Sequence, residues 1–119
     1  MSKSEIETIS KAETKHWYLD GKLHREDGPA IEYASGTKEW FLNGQRHREE
    51  GPAVEYINGT RRWYIKDVLH REDGPAIEWN TGEKWWYLNG MRLFQREYVE
   101  KIIELKGSFL SADILFLLE

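Results

Sequence analysis

Short apolar runs alternate with turn-forming pairs along most of the chain. Ala30-Ile31-Glu32-Tyr33 and Lys38-Glu39-Trp40-Phe41-Leu42 are separated by Ser35-Gly36, and Asn43-Gly44 follows at once. Asn58-Gly59 and Thr81-Gly82 repeat the first signal, while Asp20-Gly21 and Asn89-Gly90 repeat the second. Pairs of this kind accept positive φ and favour tight primed turns between antiparallel strands. Lys66-Asp67 stands where one more such pair is due and is the weakest signal. Pro29, Pro52 and Pro75 have no N–H to donate, so they mark strand starts or edges. The pattern predicts an antiparallel meander.

The alternation has a period. In rows of 23 residues, Trp17, Trp40, Trp63 and Trp86 share one column without a gap. The segment His24-Arg25-Glu26-Asp27-Gly28-Pro29-Ala30-Ile31-Glu32-Tyr33 returns as His47-Arg48-Glu49-Glu50-Gly51-Pro52-Ala53-Val54-Glu55-Tyr56. It returns again as His70-Arg71-Glu72-Asp73-Gly74-Pro75-Ala76-Ile77-Glu78-Trp79, and a fourth copy keeps Trp86-Tyr87-Leu88-Asn89-Gly90 before diverging at Leu93. The chain therefore divides into a polar segment 1–16, a repeat sheet 17–93 and a helical segment 94–119. In the last, Tyr98, Val99, Ile102, Ile103 and Leu105 fall at near-helical spacing, with Gly107 placed as the stop. Ser111 is positioned to cap a second short helix through 113–118, whose apolar surface needs a cover from the sheet or another subunit. The expected fold class is mostly β, a meander of 23-residue hairpin repeats followed by an α-helix and a short apolar helical segment.

If every turn has two residues, pairing can be counted outward from it. Asn43-Gly44 then sets Leu42 opposite Gln45, Phe41 opposite Arg46 and Trp40 opposite His47. The other turn sets Ile31 opposite Trp40, Val54 opposite Trp63 and Ile77 opposite Trp86. One face, the expected core, gathers Trp17, Ile31, Trp40, Val54, Trp63, Ile77 and Trp86 with the histidines. The other collects Glu32, Glu55 and Glu78 beside a column of Tyr18, Phe41, Tyr64 and Tyr87.

Charge and composition narrow the function. At 119 residues the chain suits one domain of modest core. A net charge of −4 lacks the broad positive field that coats a nucleic-acid polymer. With no cysteine there are no disulfides, thiolate metal sites or cysteine nucleophiles, which fits a cytoplasmic setting. No apolar run reaches the ~20 residues of a membrane-spanning helix, so no membrane partner is expected.

The His-Arg-Glu-Asp-Gly-Pro-Ala segments, each followed by Trp-Tyr-x-Asn-Gly, resemble MORN-like repeat families of bacterial and phage type. The resemblance covers about two thirds of the chain. It implies an elongated, twisted meander that binds proteins or ligands. By analogy with small phage-type proteins that counter host immunity, it also implies sequestration of a small anionic nucleotide signal in the host cytoplasm.

Three sets of residues are candidates for a site. Arg25, Arg48 and Arg71 are either braces for the acidic pair that follows each, or grips for a phosphate or carboxylate at a Gly-Pro loop. Tyr18, Phe41, Tyr64 and Tyr87 are either a stacking platform for a flat ligand or the bed on which the C-terminal helix lies. His24, His47 and His70 are spread along the sheet and do not converge as metal ligands must, and Leu93 replaces the next one, so packing is the expected role. Glu32, Glu55 and Glu78 come with no nucleophile, phosphate loop or metal motif, so no enzyme and no cofactor is expected. The readings are a non-enzymatic sponge for a small anionic nucleotide and, alternatively, a protein-interaction module, inhibitor or adaptor, using a sheet face. A homo-oligomer, most simply a two-fold dimer, follows from the apolar segment 109–118.

Overall fold

The structure, a computed structural model, describes residues 5–8 and 13–107. The main sheet is antiparallel. Its strands are β1 (Glu5–Thr8), β2 (Lys15–Leu19), β4 (Ile31–Glu32), β5 (Lys38–Glu39), β8 (Val54–Glu55), β9 (Arg61–Arg62), β12 (Ile77–Glu78), β13 (Lys84–Leu88) and β14 (Met91–Leu93), hydrogen-bonded in that order. β3 (Lys22–Leu23) hangs from β2, and two short hairpins, β6 (Phe41–Leu42) with β7 (Gln45–Arg46) and β10 (Tyr64–Ile65) with β11 (Val68–Leu69), complete the repeats. The helix α1 (Gln95–Lys106) follows the last strand. Pairing begins before Trp17, since β1 lies against β2. The expected second helix through 113–118 lies outside the described residues.

The two kinds of turn differ, and the difference sets the faces. At Asp20-Gly21, Asn43-Gly44 and Asn89-Gly90 both residues have positive φ, so these are two-residue primed turns as expected. Lys66 and Asp67 adopt the same conformation at φ 47° and 67° without a glycine. Asp67 offsets the strain by gripping Arg46: its carboxylate accepts the Arg46 N–H at 2.8 Å and its own N–H donates to the Arg46 carbonyl.

The other turns have three residues. The Tyr33 N–H donates to Thr37 O and Gly36 N–H to Tyr33 O, with Gly36 alone at positive φ, a loop closed by a glycine bulge. Tyr56-Thr60 and Trp79-Glu83 close the same way. The extra residue shifts the register by one: Ile31 faces Glu39, not Trp40; Val54 faces Arg62, not Trp63; Ile77 faces Trp85, not Trp86. In a period-two structure a one-residue slip moves a strand's side chains to the opposite face. The predicted single core face is therefore corrected to two.

On the front face, Ile31, Val54 and Ile77 are buried, and Phe41 is buried with Leu23 beside Ile31. The carbonyls of the fully buried Ala30, Ala53 and Ala76 accept the N–H groups of Trp17, Trp40 and Trp63, whose half-buried rings lie on the back, where Trp86 is buried. The chain crosses from the main ladder into each short hairpin at its tryptophan: Trp40 N–H donates to Ala53 O, and its carbonyl accepts from His47 N–H.

The helix closes the end of the back face. Tyr98 and Ile102 are fully buried and Val99 nearly so, packed with Trp86, Leu88 and Leu93. Glu97 Oε1 accepts the Phe94 N–H at 3.1 Å at the start, and Gly107, at φ 56°, donates back to Ile103 O at the end.

Candidate functional site

Each back-face arginine is held by its own repeat. Arg25 lies 3.8 Å from the Trp17 ring centre, donates through Nη1 to Pro29 O at 3.1 Å and to Glu32 at 2.9 Å, and pairs through Nε with Asp27 at 3.1 Å. Arg48 on Trp40 and Arg71 on Trp63 make the same carbonyl and glutamate contacts within 0.1 Å. The glycine of each loop is explained by this packing. A Cβ at Gly28, Gly51 or Gly74 would come within 2.9 Å or less of the guanidinium carbon. The Gly-Pro cradle is occupied by the chain's own arginine, and the glutamates share the back face with the tryptophans and not with the aromatic column.

The histidines join copies. His24 Nδ1 accepts the Asn43 N–H at 2.9 Å, His47 Nδ1 accepts from Lys66 and His70 Nδ1 from Asn89. Each ring satisfies the orphan donor of the next repeat's turn, which leaves its Nε2 as the protonated nitrogen. His70 Nε2 reaches Glu72 at 2.9 Å. Together with Lys106 at 3.1 Å it holds the Glu72 carboxyl below its ordinary value. In the fourth copy Leu93 replaces histidine opposite Trp86, and the Tyr98 ring, 4.9 Å from Trp86, takes the arginine's place. The Tyr98 hydroxyl donates to Arg71 O and accepts from Gly74 N–H, and burial raises its pKa.

Two open grooves run between successive loops on this face. The larger, about 710 Å³, lies between Arg48-Glu49-Glu50 and Arg71-Glu72-Asp73, with Trp63 and Lys106. Glu49, Glu50, Glu72 and Asp73 line it together with Arg48, Arg71 and Lys106, so its cations are matched by carboxylates and it presents no net positive field to an anion. No group of three or more metal-ligating side chains converges among the described residues, and none of their helices is long and apolar enough to cross a membrane.

The front face is different in kind. Its ladder row runs His16, Ile31, Glu39, Val54, Arg62, Ile77, Trp85, directly opposed strand by strand. The aliphatic members recur, but the repeat-equivalent His16, Glu39, Arg62 and Trp85 all differ. The next equivalent row, Leu23, Arg46, Leu69 and Arg92, alternates between leucine and arginine. The candidate column lies here. Tyr18 stacks on His16, the Arg46 guanidinium sits 5.3 Å from Phe41 and 5.8 Å from Tyr64, and Tyr64 and Tyr87 are half-buried. Phe41 is only 6% exposed, so the column is interrupted as a platform. The helix packs against Trp86 and Leu88, not across these rings.

Tyr33, Tyr56 and Trp79 form a second aromatic line that sequence reasoning did not single out. Each is placed by the three-residue turn. Tyr33 donates to Glu39 at 2.5 Å, and Glu39, buried, also takes Arg46 at 2.8 Å. Burial, then the Glu39 hydrogen bond, pushes the Tyr33 pKa up to about 12. Arg62 lies between Tyr56 and Trp79, 5.7 and 5.4 Å from their centres, and Trp79 meets Trp85 edge-on at 5.2 Å. Arg92 covers Trp85 at 3.6 Å. Comparison of the chain with protein-family models, with curated proteins and with solved structures gives no match.

Proposed function

We propose that this is a non-enzymatic binding protein that docks a protein partner on the front face of its repeat sheet. The carrying observation is the contrast within one repeat. Side chains that recur in every copy are engaged by the repeat itself, whereas the front face presents a different set of Trp, Tyr, Arg, Glu and His in each copy. Trp, Tyr and Arg are the residues that dominate binding energy at protein interfaces. The molecule is elongated, 49 × 34 × 22 Å, so its sheet offers a flat partner a long surface.

The competing reading, sequestration of a small anionic nucleotide by Arg25, Arg48 and Arg71, draws less support. Those guanidiniums already hold carbonyls and carboxylates, and the grooves beside them present no net positive field. A homo-oligomer belongs to the same proposal, but the segment that motivated it, 109–118, lies outside the described residues.

The test places a photo-reactive benzoylphenylalanine at Tyr56 on the front face and, separately, at Glu26 on the back. Irradiation in lysate of the producing cells is expected to give a discrete protein adduct from position 56 and none from position 26. Mass spectrometry of the denatured, purified protein serves as the opposing arm. A released nucleotide, with no adduct at 56, overturns the interface reading.

A further inference from the structure

The front face changes character along its length. In the second copy its charges cancel internally, because Glu39 takes both the Tyr33 hydroxyl and the Arg46 guanidinium. From β9 onward that balance is lost. Among the described residues no carboxylate lies within 4.0 Å of Arg62 or of Arg92. Arg62 lies between Tyr56 and Trp79, and the exposed Arg92 covers Trp85, so each guanidinium rests against an aromatic ring. Three buried N–H groups have no acceptor here: Arg62 Nε, Trp79 Nε1 and Trp85 Nε1.

A partner here must be negative and accept hydrogen bonds, because two guanidiniums stand without a carboxylate. Arg62 and Trp85 oppose Ile77 from either side, so they stand two strands apart, about 10 Å. One small anion does not span that distance. A peptide in the extended polyproline II form, with three residues per turn and a rise of ~3.1 Å per residue, places side chains three positions apart on one face at about the same separation. A groove of about 420 Å³ lies at the sheet edge beside Trp85, lined also by Lys84, Arg92, Glu97 and the 82% exposed Phe94, giving room for an apolar residue beyond the second acid.

Resting on the interface reading above, we infer that the Arg62–Arg92 end of the front face is a docking site for an extended acidic segment of a partner protein, with carboxylates spaced three residues apart. Arg62 with Trp79 receives one carboxylate and Arg92 with Trp85 the other. Arg46, already neutralised by Glu39, takes no part.

The probe is a fluorescein-labelled Gly-Glu-Leu-Ala-Glu-Gly peptide, compared by anisotropy with its Gln-Leu-Ala-Gln counterpart on the full chain. The acidic peptide is expected to bind about tenfold or more tightly, as charge-assisted pairs do, and to weaken as salt rises. Arg62→Gln and Arg92→Gln should each lower its affinity about fivefold or more, and Arg46→Gln should leave it unchanged. Melting curves of the Arg62 and Arg92 variants are expected to match the parent, since neither residue has a carboxylate partner to lose. Equal binding of the two peptides, no binding at about 1 mM, or full affinity in both variants overturns the inference. ATP that displaces the peptide and is lost in the same variants would assign the end to phosphates and overturn it too. If the peptide fails while the adduct at position 56 persists, the acidic segment is wrong and the interface stands. If both fail, both fall.

Discussion

The two faces of this sheet are built from the same 23-residue unit and obey different rules. On the back, Trp, Arg, Gly, Pro, Glu and His recur because each is another's partner. The arginine needs the tryptophan ring, the bare glycine, the proline carbonyl and the glutamate, and the histidine needs the next turn's N–H. On the front, Ile31, Val54, Ile77 and Phe41 are demanded by packing. The positions around them are free to differ, and they do. In a repeat protein, identity between copies marks closure of the fold, and difference on an aromatic, cationic surface marks what the copies were diversified for.

The comparison breaks most visibly at the back-face terminus. Tyr98 substitutes there for the stacked arginine, and its hydroxyl bridges Arg71 O and Gly74 N. Tyr98→Ala removes a fully buried ring and leaves both backbone groups unmet, with an expected loss of ~3–5 kcal/mol by urea denaturation. Tyr98→Phe should cost only ~1–2 kcal/mol, the hydroxyl's share. Equal losses would mean that the ring contributes nothing and that the helix is not the cap described.

A narrower contrast sets one arginine against another. Arg48→Ala takes a guanidinium from Trp40, strips Pro52 O and Glu55 of their donor, and should cost ~1.5–3 kcal/mol while leaving partner binding intact. Arg62→Ala, on the front, should change stability by no more than ~0.5 kcal/mol and weaken partner binding. Thermal melts and cross-linking yield on the two variants read both quantities. The reverse outcome would exchange the roles of the faces.

Much of this was legible in the chain. The period, the meander, the Trp40–His47 opposition, the helix and its glycine stop follow from turn pairs and apolar spacing, and the structure carries each of them. The faces were not legible, for one local reason. Ser35-Gly36 reads equally well as a two-residue turn or as the end of a three-residue turn with a glycine bulge, and only the longer loop puts Ile31 against Glu39. That single residue moved Phe41 into the core and Glu32 to Arg25. The arginine cradle was hidden because it needs loop and strand folded together. The front-face site had a signal that went unused, namely that His16, Glu39, Arg62 and Trp85 are equivalent positions with unrelated side chains.

The smallest effect tests how the back face meets its cap. Glu72 accepts from His70 Nε2 and Lys106 Nζ, so one carboxylate ties the third repeat to the last turn of α1. These two bonds hold its carboxyl below the ordinary 4.5 in the folded protein. The unfolded chain therefore binds the proton more readily, and protonation favours unfolding. The stabilisation is fully present above pH 4.5 and is lost as pH falls below it, through the folded value. Because the side chain is 44% exposed, solvent screens the pair and the contribution is at most about 1 kcal/mol. Glu72→Gln should melt slightly below the parent at pH 6, and the gap should close in more acidic solution. At the equivalent Glu49, which has no cation within 4.0 Å among the described residues, the same change should open no such gap. A gap at Glu72 that stays constant with pH would show that shape, and not charge, joins the repeat to its helix.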